Sequence, residues 1–539
     1  MAKAPHKKVW ASLDDFFPPE GEFKVGRSFA NHNFIRALWR HGTFDEYHFF
    51  LHSPSHQKPF EEKHGPHLNS LPAPPKVRLF SRVDLPRMMK EEEYTVFHQS
   101  DHIRMFNTLC HFRNSHGAFP VTAFIHSLSY PSFHGKYLEM MLGGVTANDA
   151  ILCSSSSGKR VLTRMFEELT ERCRLPSPAV RLEVVPFGLE TEDLDRLDRK
   201  QCRQEQGLSD SEVMGLCLGR FSEYDKMDLF PLLQAFQKIY QPGLPWRMVL
   251  AGSVASVDYV RMMELWIKAL GIREAVQIRT DISDQEKFSL FKAADFFVSP
   301  SDNLQETFGI TLLEAMAAGL PLVVSDFDGY RDLAGPDFAR RIPTRWGKLD
   351  LLAPEGYAPL LDEAMLHRFF AQSICVDING MAGALKDFFS QPGLCEEMGR
   401  KARKRFEEGY AAPGVIRQLE DLWSHLKENY SLAHRRSGPN PVFPDFYRAF
   451  SHYCTEELTP ATKVSKSAFA VNLLAIGSQY PLLADMRQIV DWKGVMEVIL
   501  CAFEGKTVEE IIRHLGGEEE KTYYLILWML KHGILEIVP

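Results

Sequence analysis

The 539-residue chain has no run approaching the ~20 apolar residues that a membrane-spanning helix requires. Its opening, Met-Ala-Lys-Ala-Pro-His-Lys-Lys, leads into a short strand-like stretch and lacks the apolar core of a secretory signal. Cysteine is sparse: nine residues, scattered, with no Cys-x-x-Cys pair and no zinc-ligand spacing. Several lie inside strand-like runs (Cys153, Cys217) and read as reduced core residues of a cytoplasmic protein. Positive charge is also lacking, since 62 Lys and Arg face 70 Asp and Glu for a net charge of -8. That balance gives no electrostatic reason to expect nucleic acid. What remains is the profile of a large soluble enzyme of two or three domains, compatible with peripheral attachment at the inner membrane.

The most informative stretch is Glu306-Thr-Phe-Gly-Ile-Thr-Leu-Leu-Glu314, set between the strand-like runs 295–300 and 320–325. Strand, crossover helix, strand is the unit in which α/β proteins hold ligands at the carboxyl ends of the sheet. If both glutamates lie on that helix, eight positions turn through roughly 800° and leave them about 80° apart and ~12 Å along the axis. Two acceptors so placed suit two hydroxyl-bearing parts of one long ligand. The helix N-terminus and bare Gly309 suit a phosphate between them. The alternative is plain: Glu306 as a first-turn acid favoured by the helix dipole, Glu314 as a solvated helix residue.

Gly219-Arg220 ends the apolar run Val213–Leu218, and Lys226 is expected to open a helix bearing Leu229, Leu232, Leu233 and Phe236 on one face. A guanidinium fork and an ammonium point charge can together neutralise a diphosphate; surface salt bridges are the competing use of these cations.

Residues 213–333 resemble the nucleotide-sugar half of the retaining GT-B glycosyltransferases of family four, the group 1 glycosyl transferases. The resemblance implies that Gly219, Arg220 and Lys226 contact the diphosphate, and that Glu306, Phe308, Gly309, Ile310, Thr311 and Glu314 hold the sugar and ribose. The run Glu-Ala-Met-Ala-Ala-Gly-Leu-Pro from Glu314 is also close to the family's. The chain departs from the pattern at Met227 and Thr307, where glycine is common, and Arg220 and Lys226 are one residue further apart than usual.

The implied fold is α/β: two Rossmann-like domains, 1–190 on the acceptor side and 205–430 for the nucleotide sugar, facing across a cleft. Val9–Leu13 reads as the first strand and 27–39 as a helix. Strands are expected at 47–51, 77–80, 94–98, 121–125 and 150–153. The Pro- and His-rich segment 52–75 reads as irregular. Gly21 and Gly26 occupy the place of the family's acceptor-side glycine loop, without its tandem Gly-Gly. His126 ends a strand where the family often turns a histidine to the sugar; the plain alternative is a structural histidine. His98 is a second, weaker choice, and His134 and the histidines of 52–67 read as structural. Leu182 to Gly188 closes the domain with Phe187 where the family usually has Asn, and 190–205 reads as a solvated linker or helix.

Helices are expected at 380–389, 394–408 and 413–428, and the resemblance implies that 415–426 returns to the first domain. Residues 335–378 read as an insertion. After a linker at 431–444, residues 440–539 form a different unit, mainly helical, which resembles a winged helix. Thr507 and Glu510 make a capping box, Gly516-Gly517 a turn, 518–531 a second helix and 534–538 a strand. That second helix is expected to present Tyr523, Tyr524 and Trp528, with an acidic first turn. The DNA-binding use of such folds needs cations there, so binding of peptide or protein, or self-association, fits better. A chain ending near Ser437 is expected to fold and still bind nucleoside diphosphate.

Together these readings describe a retaining glycosyltransferase that moves a sugar from a nucleoside diphosphate to an acceptor hydroxyl. No bound cofactor and no metal are expected, and Asp326 and Asp328 read as loop acids. In the family the attack comes from the leaving-group face and the departing phosphate helps take the proton, so positioning and charge stabilisation carry catalysis. The alternatives are a GT-B epimerase or phosphorylase, and a non-catalytic scaffold acting through residues 440–539.

Overall fold

The computed structural model describes residues 7–17, 26–434, 438, 440–477, 482–483, 486–487, 489–516 and 519–539. Two apolar strand sets organise the first 430 residues. The first comprises β1 (Val9–Leu13), β2 (Glu46–Leu51), β3 (Val77–Ser81), β4 (Val96–Gln99), β5 (Val121–Phe124), β6 (Ala150–Cys153) and β7 (Arg181–Val184). Its order is β3-β2-β1-β4-β5-β6-β7, and the pairs from β1 through β7 are parallel. The second comprises β8 (Val213–Leu218), β9 (Trp246–Gly252), β10 (Val276–Thr280), β11 (Phe296–Ser299), β12 (Leu322–Ser325) and β13 (Ala339–Ile342). It is parallel throughout, in the order β10-β9-β8-β11-β12-β13. Parallel strands are covered by helices on both faces and therefore read as continuous apolar runs; β8, β11 and β12 are buried along their whole length.

Three expectations need correction. Residues Gln57–Ser70 form a helix, not an irregular segment. Pro59 falls in its first turn, where no amide hydrogen is needed, and Phe60 and His64, one turn apart, are both buried with rings 4.9 Å apart. The stretch 335–378 is not simply an insertion, because it supplies β13 and the helix Glu363–Ala371. Lys226 does not open a helix: the helix runs Phe230–Gln237, with Pro231 in its first turn fixing the start. Residues 190–205 contain two short helices, Glu192–Asp195 and Arg199–Glu205.

The helix Ala412–Glu428 returns to the first sheet. Its Trp423 is fully buried, donates its indole N–H to Thr122 Oγ1 at 3.1 Å, and lies against the rings of His98 (5.3 Å) and Phe44 (5.9 Å). His98 is thereby a core residue: its Nδ1 pairs with Thr122 Oγ1 at 2.8 Å, and burial lowers its pKa to about 3.

By contact grouping the chain forms two units, one of 1–47, 71–76 and 89–440, the other of 48–70, 77–88 and 441–539. Within the second, residues 464–535 have an apolar core of their own, including Val464, Val498, Ile511, Ile526, Trp528 and Met529. A three-stranded antiparallel sheet joins Lys506–Thr507, Lys463–Lys466 and Leu535–Ile537 in that order. The capping box of Thr507 and Glu510 is present, and Gly516 ends that helix in the left-handed region; Gly517 and Glu518 lie outside the described residues. Trp528 is not displayed but buried in this core, whereas Phe503 is 61% exposed. Among the described residues, no helix is long and apolar enough to cross a membrane.

Candidate functional site

The candidate site sits where β8, β11 and β12 end. Gly309 is the pivot. Its φ of +96° places it in the left-handed region, and a Cβ there would lie 2.5 Å from the Tyr330 ring. The helix therefore begins only at Ile310 and runs to Ala317, with Gly309 as its N-cap. Glu306 lies in the loop before it, so the two glutamates do not share one helix and the 80° relation does not apply.

Each glutamate has its own lysine. Lys226 Nζ is 2.5 Å from Glu306 Oε2, and Lys287 Nζ is 2.7 Å from Glu314 Oε1. Burial pushes the Glu306 carboxyl up, but attraction to Lys226 and its hydrogen bond outweigh it and the net shift is downward. For Glu314, burial prevails over Lys287 and the net shift is upward. Arg220 joins this group from the end of β8, with Nη2 2.9 Å from Asp225 Oδ2. Its buried Nε has no partner, and neither do Ser222 Oγ, Asp225 Oδ1, Thr311 Oγ1 and Asp328 Oδ2. Buried polar atoms are ordinarily paired, and these five lie on the segments that follow β8, β11 and β12.

Phe308 is buried and edge-on to Phe187 at 5.6 Å, and Phe187 stacks flat on His126 at 5.7 Å. Two of the departures from the family pattern, Phe187 and Thr307, thus meet at His126. Phe187 covers its ring, and Thr307 Oγ1 donates to its backbone oxygen at 2.7 Å. Ser155 Oγ in turn donates to Thr307 O at 2.7 Å. His126 Nε2 is 2.8 Å from Ser100 O, which makes Nε2 the protonated nitrogen of the neutral ring. Burial lowers its pKa to about 4 despite nearby Asp101, so the ring is neutral near pH 7.

Of the acceptor-side glycines, Gly26 begins the helix Gly26–His41 and a Cβ there would meet nothing within 4 Å; Gly21 lies outside the described residues. The two loop acids have different surroundings. Asp326 is held by Arg331 at 3.0 Å, and Asp328 is half-buried, with Oδ2 enclosed and its carboxyl within the field of Glu306.

Sequence reasoning missed Lys287, Gln305 and His367, and read Asp328 only as a loop acid. Gln305 bridges the halves, accepting from Tyr130 Oη at 3.0 Å and pairing with His367 Nδ1 at 2.8 Å. No local spacing announces such partners, because they come from separate strands and crossovers.

Comparison with known proteins agrees with this geometry. Residues 198–342 match the family model of the glycosyl transferases group 1. Alpha-monoglucosyldiacylglycerol synthase of Streptococcus pneumoniae is 32% identical over 180 residues, covering 32% of this chain and 37% of that one. Matches of this kind span less than half the length of such curated relatives. Among solved structures, HepE of Anabaena in complex with UDP superimposes with a TM-score of 0.53 at 12% identity, over 78% of this chain and 100% of that one. Sucrose-phosphate synthase of Thermosynechococcus elongatus gives 0.52 at 17% identity, over 78% and 99%. Residues 198–342 are therefore a group 1 glycosyltransferase domain, carried within a GT-B fold.

Proposed function

We propose that the protein is a retaining glycosyltransferase using a nucleoside-diphosphate sugar, without a metal, to glycosylate an acceptor hydroxyl. The observation that carries this reading is the pairing of Lys226 with Glu306, with Arg220 held by neighbouring Asp225 and Glu314 paired with Lys287. The two cations suit neutralisation of a departing diphosphate, and the two carboxylates suit hydroxyl groups of the donor. The UDP bound by HepE favours a uridine donor as the first to try. His126, neutral and under Phe187, is assigned to shaping the sugar end of the pocket, and Phe308, Gly309, Ile310 and Thr311 to holding the donor; Gly21 and Gly26 belong to the acceptor side.

A ligand that binds only the folded state raises the melting temperature as its concentration passes its Kd. A thermal-shift panel of nucleotide sugars and the matching diphosphates should therefore single out the donor, and its turnover with acceptor alcohols tests transfer. Turnover of a nucleotide sugar without any acceptor would instead support an epimerase.

The two carboxylates should separate by kinetics. With Glu306 at the sugar and Glu314 at the ribose, Glu306→Gln is expected to lower kcat, because only the sugar changes charge and shape during reaction. Glu314→Gln is expected to weaken nucleoside-diphosphate affinity instead. Equal losses of diphosphate affinity in both variants would count against this division.

A further inference from the structure

We propose that Asp328 is a second carboxyl group of the sugar pocket, which hydrogen-bonds a hydroxyl of the transferred sugar beside Glu306. The inference rests on the reading of Glu306 as the sugar-facing carboxylate.

Asp328 has φ +47°, one of three non-glycine residues at positive φ among those described. An L-residue holds that conformation at a cost that glycine would not incur. The turn cannot relax away, because it is pressed against the loop that carries Glu306. A Cβ on Gly329 would lie 2.2 Å from Thr307 O and 2.9 Å from Phe308 Cα. On the other side, Tyr330 closes over Gly309.

The carboxyl is buried. Ser157 and the Gly329 N–H hydrogen-bond it, yet Oδ2 has no partner. A strained backbone and an unmade buried hydrogen bond both weigh against folding, and both would vanish with glycine at this position. Their joint presence next to Glu306 points to a partner that arrives with the substrate.

The charge environment sets which partner. Burial first, then Glu306 and Asp332, push Asp328 up to about 8. Tyr330, itself raised well above its usual value, faces the same carboxyl, and the charge of Lys226 is engaged by Glu306. At neutral pH Asp328 therefore carries its proton and donates, whereas Glu306, held ionised by Lys226, accepts. A donor and an acceptor side by side recognise sugar hydroxyls in a way that two carboxylates could not.

The test uses the full chain with UDP-glucose, UDP-galactose, UDP-N-acetylglucosamine and GDP-mannose, and with UDP and GDP alone. Asp328→Gly is expected to raise the melting temperature and keep diphosphate affinity within about twofold. It should weaken the sugar nucleotide by about tenfold or more, the size expected for a lost buried hydrogen bond. Asp328→Asn keeps an N–H donor and should retain most of the affinity. Wild-type affinity for the sugar nucleotide, over that for the diphosphate, should fall as pH rises through about 8, and the Asn variant should not follow it. Unchanged sugar-nucleotide affinity in Asp328→Gly overturns the proposal if Glu306→Gln is impaired alongside. If both variants are silent, or if no sugar nucleotide binds better than its diphosphate, the reading of the site fails and this inference with it.

Discussion

Lys226→Ala is expected to lower sugar transfer by about 10- to 100-fold or more, the worth of one charge-assisted hydrogen bond made in the transition state. Two losses combine. The departing diphosphate no longer meets the ammonium, and Glu306 loses the partner that holds it ionised, so burial then drives its carboxyl up. Arg220→Ala should be comparably damaging, since its guanidinium stands at the end of the same strand with Nε unpaired. Steady-state kinetics with the donor found by thermal shift provides the measurement. Near wild-type turnover in both variants would remove the assignment of a diphosphate to this place.

The second large effect is on stability and lies far from the chemistry. Arg113 and Asp149 are both fully buried in the first sheet's domain and form a bidentate pair, with Nη1–Oδ1 at 2.9 Å and Nη2–Oδ2 at 2.8 Å. Asp149 also accepts from Val121 N, Thr146 N and Thr146 Oγ1, and Arg113 Nε donates to Asn114 Oδ1 at 3.0 Å. Breaking one side of such a pair strands the other charge without solvent, so Arg113→Ala should destabilise by about 3–5 kcal/mol. Replacing both partners at once, as Arg113→Met with Asp149→Leu, should cost less than the single change, because no charge is left unmatched. Urea-unfolding curves of the three proteins decide it; a loss below about 1 kcal/mol for Arg113→Ala would mean that water reaches Asp149.

Much of the fold was legible because buried parallel strands announce themselves as apolar runs. Val213–Leu218 was read to the residue, and the returning helix was anticipated from the family resemblance. The illegible parts have physical causes. In Gln57–Ser70, proline and histidine mask a helix whose two buried residues suffice to hold it. The strand Lys463–Lys466 buries only Val464 and carries no pattern of its own. At the site, residue types were readable but their partners were not: the pairing of Lys287 with Glu314 and the coupling of Asp328 to Glu306 arise only when separate crossovers are brought to one sheet edge. Phe187 and Thr307, which look like departures from a pattern, prove to be contacts of the same histidine.

The return of Ala412–Glu428 to the first sheet also sets an order of events during synthesis. Chains emerge from the ribosome amino end first, so β1 to β7 are complete long before Trp423 exists. Until then Thr122, His98 and Phe44 bound an open aromatic slot. The whole second sheet is made before the first half receives its last core residues, Trp423 and Leu426, from the far end of its partner. Neither half is a finished product of its own gene segment; each nascent chain closes its first domain only after it has nearly finished its second.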